Sequence, residues 1–313
     1  MAFTSLQEIL DTCEKDRIPF CEAVLQDDLN ERGVTREDSR KQMAALWQAM
    51  WDAAGSYKEN ERSRSGLVGG QGGIMEKYLA EHEPLSGAFA GQVIAGALKM
   101  GECNACMKRI VAAPTAGACG VLPAVLVPYV KKYELEEGKV LDALYTAAGI
   151  GQVIAARAYI AGASGGCQAE IGTASAMAAA ALTHILGGTA QQCADAYAIA
   201  LGNLLGLVCD PVAGLVEVPC VKRNVIGAVN AVSAANMAVA GITSRIPVDE
   251  VIDAMGEVGD ALPASLRETG LGGLAATPTG RQAAERIARA EHLMPPSRRP
   301  SHRRRGGFLR EKA

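Results

Sequence analysis

Residues 174–181 read ASAMAAAA, inside a largely apolar run from Thr173 to Leu186 that Ser175, Thr183 and His184 interrupt. Such a run has no polar face and little side-chain volume. It is stable as a helix only when other helices enclose it. The stretch 228–240, AVNAVSAANMAVA, has the same character. Composition extends the point: 49% of residues are hydrophobic, only 4% are aromatic, and 35 are glycine. The chain is therefore expected to be mainly α. It reads as a single helical domain over residues 1–292, with small-residue-rich helices at the centre and catalytic loops between helices. No βαβ alternation and no dinucleotide fingerprint argue for a sheet.

Helices are predicted within 4–53, with Thr4 or Ser5 and then Thr35 as caps, and at 74–81, 86–100 and 121–133. Further helices are predicted at 139–161, 168–186, 190–207, 223–242 and 248–258. A membrane span needs about 20 predominantly apolar residues. The run before Gly187-Gly188 carries Thr183 and His184, and the next stops at Cys209-Asp210-Pro211, so both read as buried helices. RSRSGLVGGQGG, residues 62–73, reads as a flexible loop; its 66–73 part lacks the Lys-Ser/Thr of a P-loop and suits a lid.

Net charge is −3, unevenly distributed. Residues 295–313 carry six arginines and Lys312 against Glu311, which leaves the rest distinctly acidic. That body is a poor match for nucleic acid. Residues 293–313 read as a basic, disordered tail. The nine cysteines are an odd number, and MAFTSLQEIL is not a signal peptide. Both points favour a reducing cytoplasm, where cysteines more often serve metals or catalysis.

Three of those cysteines sit in Gly/Pro-punctuated turns: Cys167 in GASGGCQAEIG, Cys209 in GLVCDPVAG and Cys220 in VEVPCVKRN. Small residues beside a thiol let the backbone approach a large inorganic group. Three thiolates are one fewer than a closed 4Fe–4S site needs, and would leave one iron open. Buried packing is the ordinary alternative for each cysteine. Cys103-x-x-Cys106 has no second pair at zinc spacing and carries no weight.

The runs IVAAPTAGACGVLPAVL, GCQAEIGTASAMAAAAL and NLLGLVCDPVAGLVEVPCVKRNVIGA resemble the alpha chain of the iron–sulfur-dependent L-serine dehydratases. SRSGLVGGQGG and LRETGLGGLAATPTG extend the resemblance over roughly residues 1–285. It implies a 4Fe–4S cluster on Cys167, Cys209 and Cys220. It also implies conversion of L-serine to pyruvate and ammonia by Lewis-acid dehydration at the open iron, and an oligomer that includes a separate beta chain. The loop at Thr115, Ala116 and Gly117 precedes a helix and could receive a carboxylate on its amides; the resemblance favours that role. Asn104 matches a family position that contacts substrate. Glu170 is either a base or ligand-orienting carboxylate, or a helix N-terminal Glu favoured by the dipole. Arg223 can serve the cluster sulfides or the substrate carboxylate, or start a solvated helix. The Arg-rich tail departs from the family. The rival readings are an L-cysteine desulfidase of similar architecture and a non-catalytic cluster-bearing sensor.

Overall fold

The computed structural model describes residues 3–292. The basic segment 293–313 lies outside them. The described residues form thirteen α-helices and no strand; their one β contact is an isolated parallel bridge between Cys209 and Arg267. No helix among them is long and apolar enough to cross a membrane.

The N-terminal third is α1 (Leu6–Asp16), α2 (Phe20–Arg32), α3 (Arg36–Gly55), α4 (Gln71–Glu81) and α5 (Gly87–Ala105). Ser5 caps α1 in a reciprocal capping box with Glu8, and Thr35 caps α3. Asp249 adds a second cap to α1, its carboxylate accepting from the amides of Leu6 at 2.8 Å and Gln7 at 3.0 Å. The middle contains α6 (Val121–Tyr133), α7 (Glu137–Arg157), the single turn α8 (Gly162–Gly165) and α9 (Thr173–Ile185). The rest is α10 (Ala190–Gly202), α11 (Cys220–Val239), α12 (Val248–Ala261) and α13 (Pro278–His292).

The central position expected for 174–181 is where the structure places it. α9 touches α6, α7, α10 and α11, and Ala174, Ala176 and Ala178 to Ala181 are fully buried. Missing side chains make the close approach possible. A Cβ on Gly227 of α11 would stand 2.8 Å from Ile171 and 3.1 Å from Val121; one on Gly151 of α7 would stand 3.0 Å from the Met177 sulfur. Density of this kind leaves no slack for larger groups.

Two differences from expectation have local causes. Residues 168–172 form a π-helical turn that leads into α9 rather than the first turn of a longer α-helix. The Gly-rich segment, expected as a lid, is tied down. Ser63 and Ser65 donate to the buried Glu217 carboxylate, and Gln71 and Gly72 give their amides to Glu102, which is 1% exposed. Gly72 also lies so close to Lys99 that a Cβ would stand 2.5 Å from its side chain.

Candidate active site

Three helices begin at one place. Gly227 brings Val121, the first residue of α6, and Ile171, at the entrance to α9, against the second turn of α11. The loops in front of these helices carry the residues singled out from sequence. Unpaired N-terminal amides give the region a partial positive charge, which suits thiolates and carboxylates.

Cys167 immediately precedes the π turn, and Glu170 lies within it. Irregular turns of this type concentrate at functional sites. The sulfurs of Cys167 and Cys209 and a carboxylate oxygen of Glu170 all lie within 4.8 Å of one another. Gly162 lies against the same group: an added Cβ would stand 2.8 Å from the Cys209 sulfur and 2.9 Å from Glu170 Oε2. Gly117 faces the other side, with its missing Cβ 3.4 Å from both Glu170 oxygens.

Arg223 completes the thiol environment. Its Nη1 donates to the Cys167 sulfur at 3.5 Å and to the Val208 carbonyl at 2.8 Å, while Nη2 pairs with Asp210 at 2.8 Å. Cys209 donating to Cys167, together with the Arg223 charge, holds the Cys167 thiol below its ordinary range. Cys209 is pushed the opposite way, by its hydrogen bond to Cys167 and by burial. Burial, and the charges of Cys167 and Glu170, push the Cys220 thiol up to about 12. Cys220 lies outside the 4.8 Å group but within its field, at the first residue of α11.

Glu170 is raised above the usual carboxylate range, first by burial and then by the charge of Glu268, against stabilising contacts from Thr115 and the Gly162 amide. The Thr115 hydroxyl faces this carboxylate, yet its buried Oγ1 has no properly formed hydrogen bond. A buried hydroxyl in that state is waiting for a partner. Asn104 stands behind the loop and donates to the Ala116 carbonyl at 3.1 Å.

Two buried amides that sequence reasoning passed over hold the site together. Gln168, fully buried, gives its backbone N–H to the Leu207 carbonyl, accepts from the Gly206 amide and donates to Met255. It thereby sets the Cys167 turn against the segment leading to Cys209. Asn224, 1% exposed, donates to the carbonyls of Gly117 and Cys220 and accepts from the Gly120 amide. The signal was present: each is an amide within about a turn of a site cysteine. Glu268 and its neighbours were also missed as site residues. Cys209 donates its amide to Leu266 and accepts from the Glu268 amide at 2.7 Å.

The family model described as "Serine dehydratase alpha chain" matches residues 15–275. The chain belongs to the serine dehydratase alpha chain family. It is 46% identical over 285 residues to a Bacillus subtilis protein named "Probable L-serine dehydratase, alpha chain", covering 91% of this chain and 95% of that one. It is 43% identical to the "L-serine dehydratase, alpha chain" of Peptoniphilus asaccharolyticus, covering 88% and 95% of the two chains. The Escherichia coli "L-serine dehydratase TdcG" is 36% identical, and there the match covers 87% of this chain but 61% of the longer relative. All the motifs that carry the site lie inside the matched region, among them the loop at 113–120, the three cysteine turns and the LRETG segment.

Proposed function

We propose that this chain is the catalytic alpha chain of an L-serine ammonia-lyase that converts L-serine to pyruvate and ammonia. The observation that carries the reading is one cluster that gathers two buried thiols and a half-buried carboxylate whose pKa burial raises, with the Thr115 hydroxyl facing it.

The residues fit a 4Fe–4S cluster. Cys167, Cys209 and Cys220 would hold it; thiolates are the donors such clusters take. Arg223 and three helix N-termini offset their charge, and Gly162 keeps the wall beside Cys209 free of side chain. When bound, the cluster supplies a Lewis-acidic iron that draws electrons from the β-hydroxyl C–O bond.

The chain's own residues do the rest. The Thr115–Gly117 loop, at the start of α6, receives the substrate carboxylate on backbone amides, and the Thr115 hydroxyl gains its missing partner there. Glu170 takes the Cα proton; a carboxylate with a raised pKa suits that task. Loss of the proton and of the β-hydroxyl as water gives aminoacrylate. Its imine tautomer takes up water and releases ammonia, leaving pyruvate. Arg223 is held by Cys167, Val208 and Asp210 and acts as support for the Cys167 thiolate. Asn104 positions the loop from behind.

A separate beta chain is the proposed partner. The chain spans 95% of two relatives named alpha chains but 61% of a longer relative, which supports a second chain supplying the remainder. Anaerobic purification with that beta chain, iron and sulfide analysis, and ammonia release from L-serine test the reading. About four irons per chain with serine turnover support it. Absence of iron after anaerobic reconstitution refutes it. Sulfide release from L-cysteine in preference to serine turnover would make the chain a desulfidase instead.

A further inference from the structure

A second convergence of metal-ligating groups lies at the far end of α9. Cys21 in the first turn of α2, Asp142 in α7 and His184 in the last turn of α9 bring a sulfur, a carboxylate oxygen and a ring nitrogen within 4.8 Å of one another. We propose that Cys21, Asp142 and His184 form a binding site for a divalent transition ion of the zinc type. This inference is independent of the function proposed above.

The donor set is the first argument. Thiolate, imidazole and carboxylate are the three protein ligands that zinc takes, with bonds of about 2.0–2.3 Å. Tetrahedral bonds of that length put donor atoms roughly 3.4–3.6 Å apart. The three atoms therefore need to draw together by no more than about 1.4 Å, which side-chain rotation supplies. Three ligands leave a fourth position for water, and access exists because Asp142 and His184 are only partly buried.

The partners of each ligand are the second argument. The His184 ring makes no hydrogen bond to a described residue, so no such contact competes for it. The Cys21 sulfur stands beside the Asp142 carboxylate, and a coordinated thiol is deprotonated outright. Arg40 donates to Asp142 Oδ1 at 2.8 Å and leaves the second oxygen available. It fixes the carboxylate as an outer-shell partner does.

Zinc titration of the chelator-treated full chain tests the site. A Cys167→Ala/Cys209→Ala background removes the other thiol cluster. The expected result is one saturable equivalent per chain, with a rise in Tm. Cobalt(II) in its place should give thiolate-to-metal charge-transfer absorption. Cys21→Ser should abolish that absorption. His184→Gln, at a partly exposed position that keeps the fold, should weaken zinc binding by more than the 10–100-fold typical of losing an outer-shell partner. No saturable zinc binding in the background chain overturns the proposal. So does binding that survives both His184→Gln and Cys21→Ser.

Discussion

Asn224 binds the Gly117 carbonyl across 2.8 Å, and so joins the first turns of α11 to the loop in front of α6. The same carboxamide also holds Gly120 and Cys220. Asn224→Ala removes three hydrogen bonds and strands buried backbone groups, at a cost of about 2–3 kcal/mol. Urea unfolding reads that loss. Serine turnover should fall much further than stability, because the loop and the Cys220 turn lose their common anchor. Unchanged turnover in a folded Asn224→Ala chain would refute the role.

Gly162→Ala tests the packing beside Cys209. The new methyl would stand 2.8 Å from the Cys209 sulfur and 2.9 Å from Glu170. Gly162 belongs to a short turn, so the fold should survive with a small change in Tm. Iron retained after anaerobic reconstitution should drop severalfold. Full iron loading would show that Cys209 has room the structure does not give it.

Glu170→Gln keeps the shape of the side chain and removes the proposed base. Loss of a general base typically costs 10²–10⁴-fold. The expected outcome is a fall of at least about 100-fold in kcat with iron content unchanged. Loss of iron together with activity would instead make Glu170 a structural neighbour of the thiols.

Ala180, fully buried in the middle of α9, has no space beside it. Ala180→Leu should destabilise the chain by about 1–3 kcal/mol through overpacking. The comparison is Leu46→Ala, at a position 48% exposed, which should cost far less. Calorimetry of both variants checks the contrast.

Acid should loosen the α2–α3 corner first. Arg36 holds Glu22, and Arg32 holds Asp28, below their ordinary values of 4.5 and 3.8. A depressed carboxylate adds stability above its unfolded pKa and loses it as pH falls through the folded one. Both pairs are partly exposed, so each is worth under about 1 kcal/mol. Arg36→Ala should therefore lower the urea midpoint more near neutral pH than in acid, where Glu22 becomes protonated. Equal penalties at the two pH values would argue against the linkage.

The helices were legible where local chemistry fixes them. α6 runs over 121–133, the span that the apolar run after Gly120 predicts. α3 starts after Thr35, as its Thr and Asp38 pattern predicts. α13 was missed because PTGRQAAERIARAEH is polar on average, which hides the apolar face that it does have. The π turn was missed because nothing in QAEIG distinguishes it from the first turn of an α-helix; Gln168 there bonds the 206–207 segment. Cys167 and Cys209 could be named from their turns. Their meeting was implied by the resemblance and not by their spacing, because Gln168 and the Leu266–Glu268 backbone bring them together across long stretches of chain.

The backbone on both sides of Cys209 is held by residues 266 and 268. On the ribosome, Cys167, Cys209 and Cys220 therefore emerge well before the segment that fixes the middle one. The thiol pocket is finished only when the C-terminal helices have left the exit tunnel and folded back. Any loading of the proposed cluster would thus follow synthesis of that segment, and a nascent chain stalled before Leu266 would carry all three cysteines without the backbone that holds Cys209.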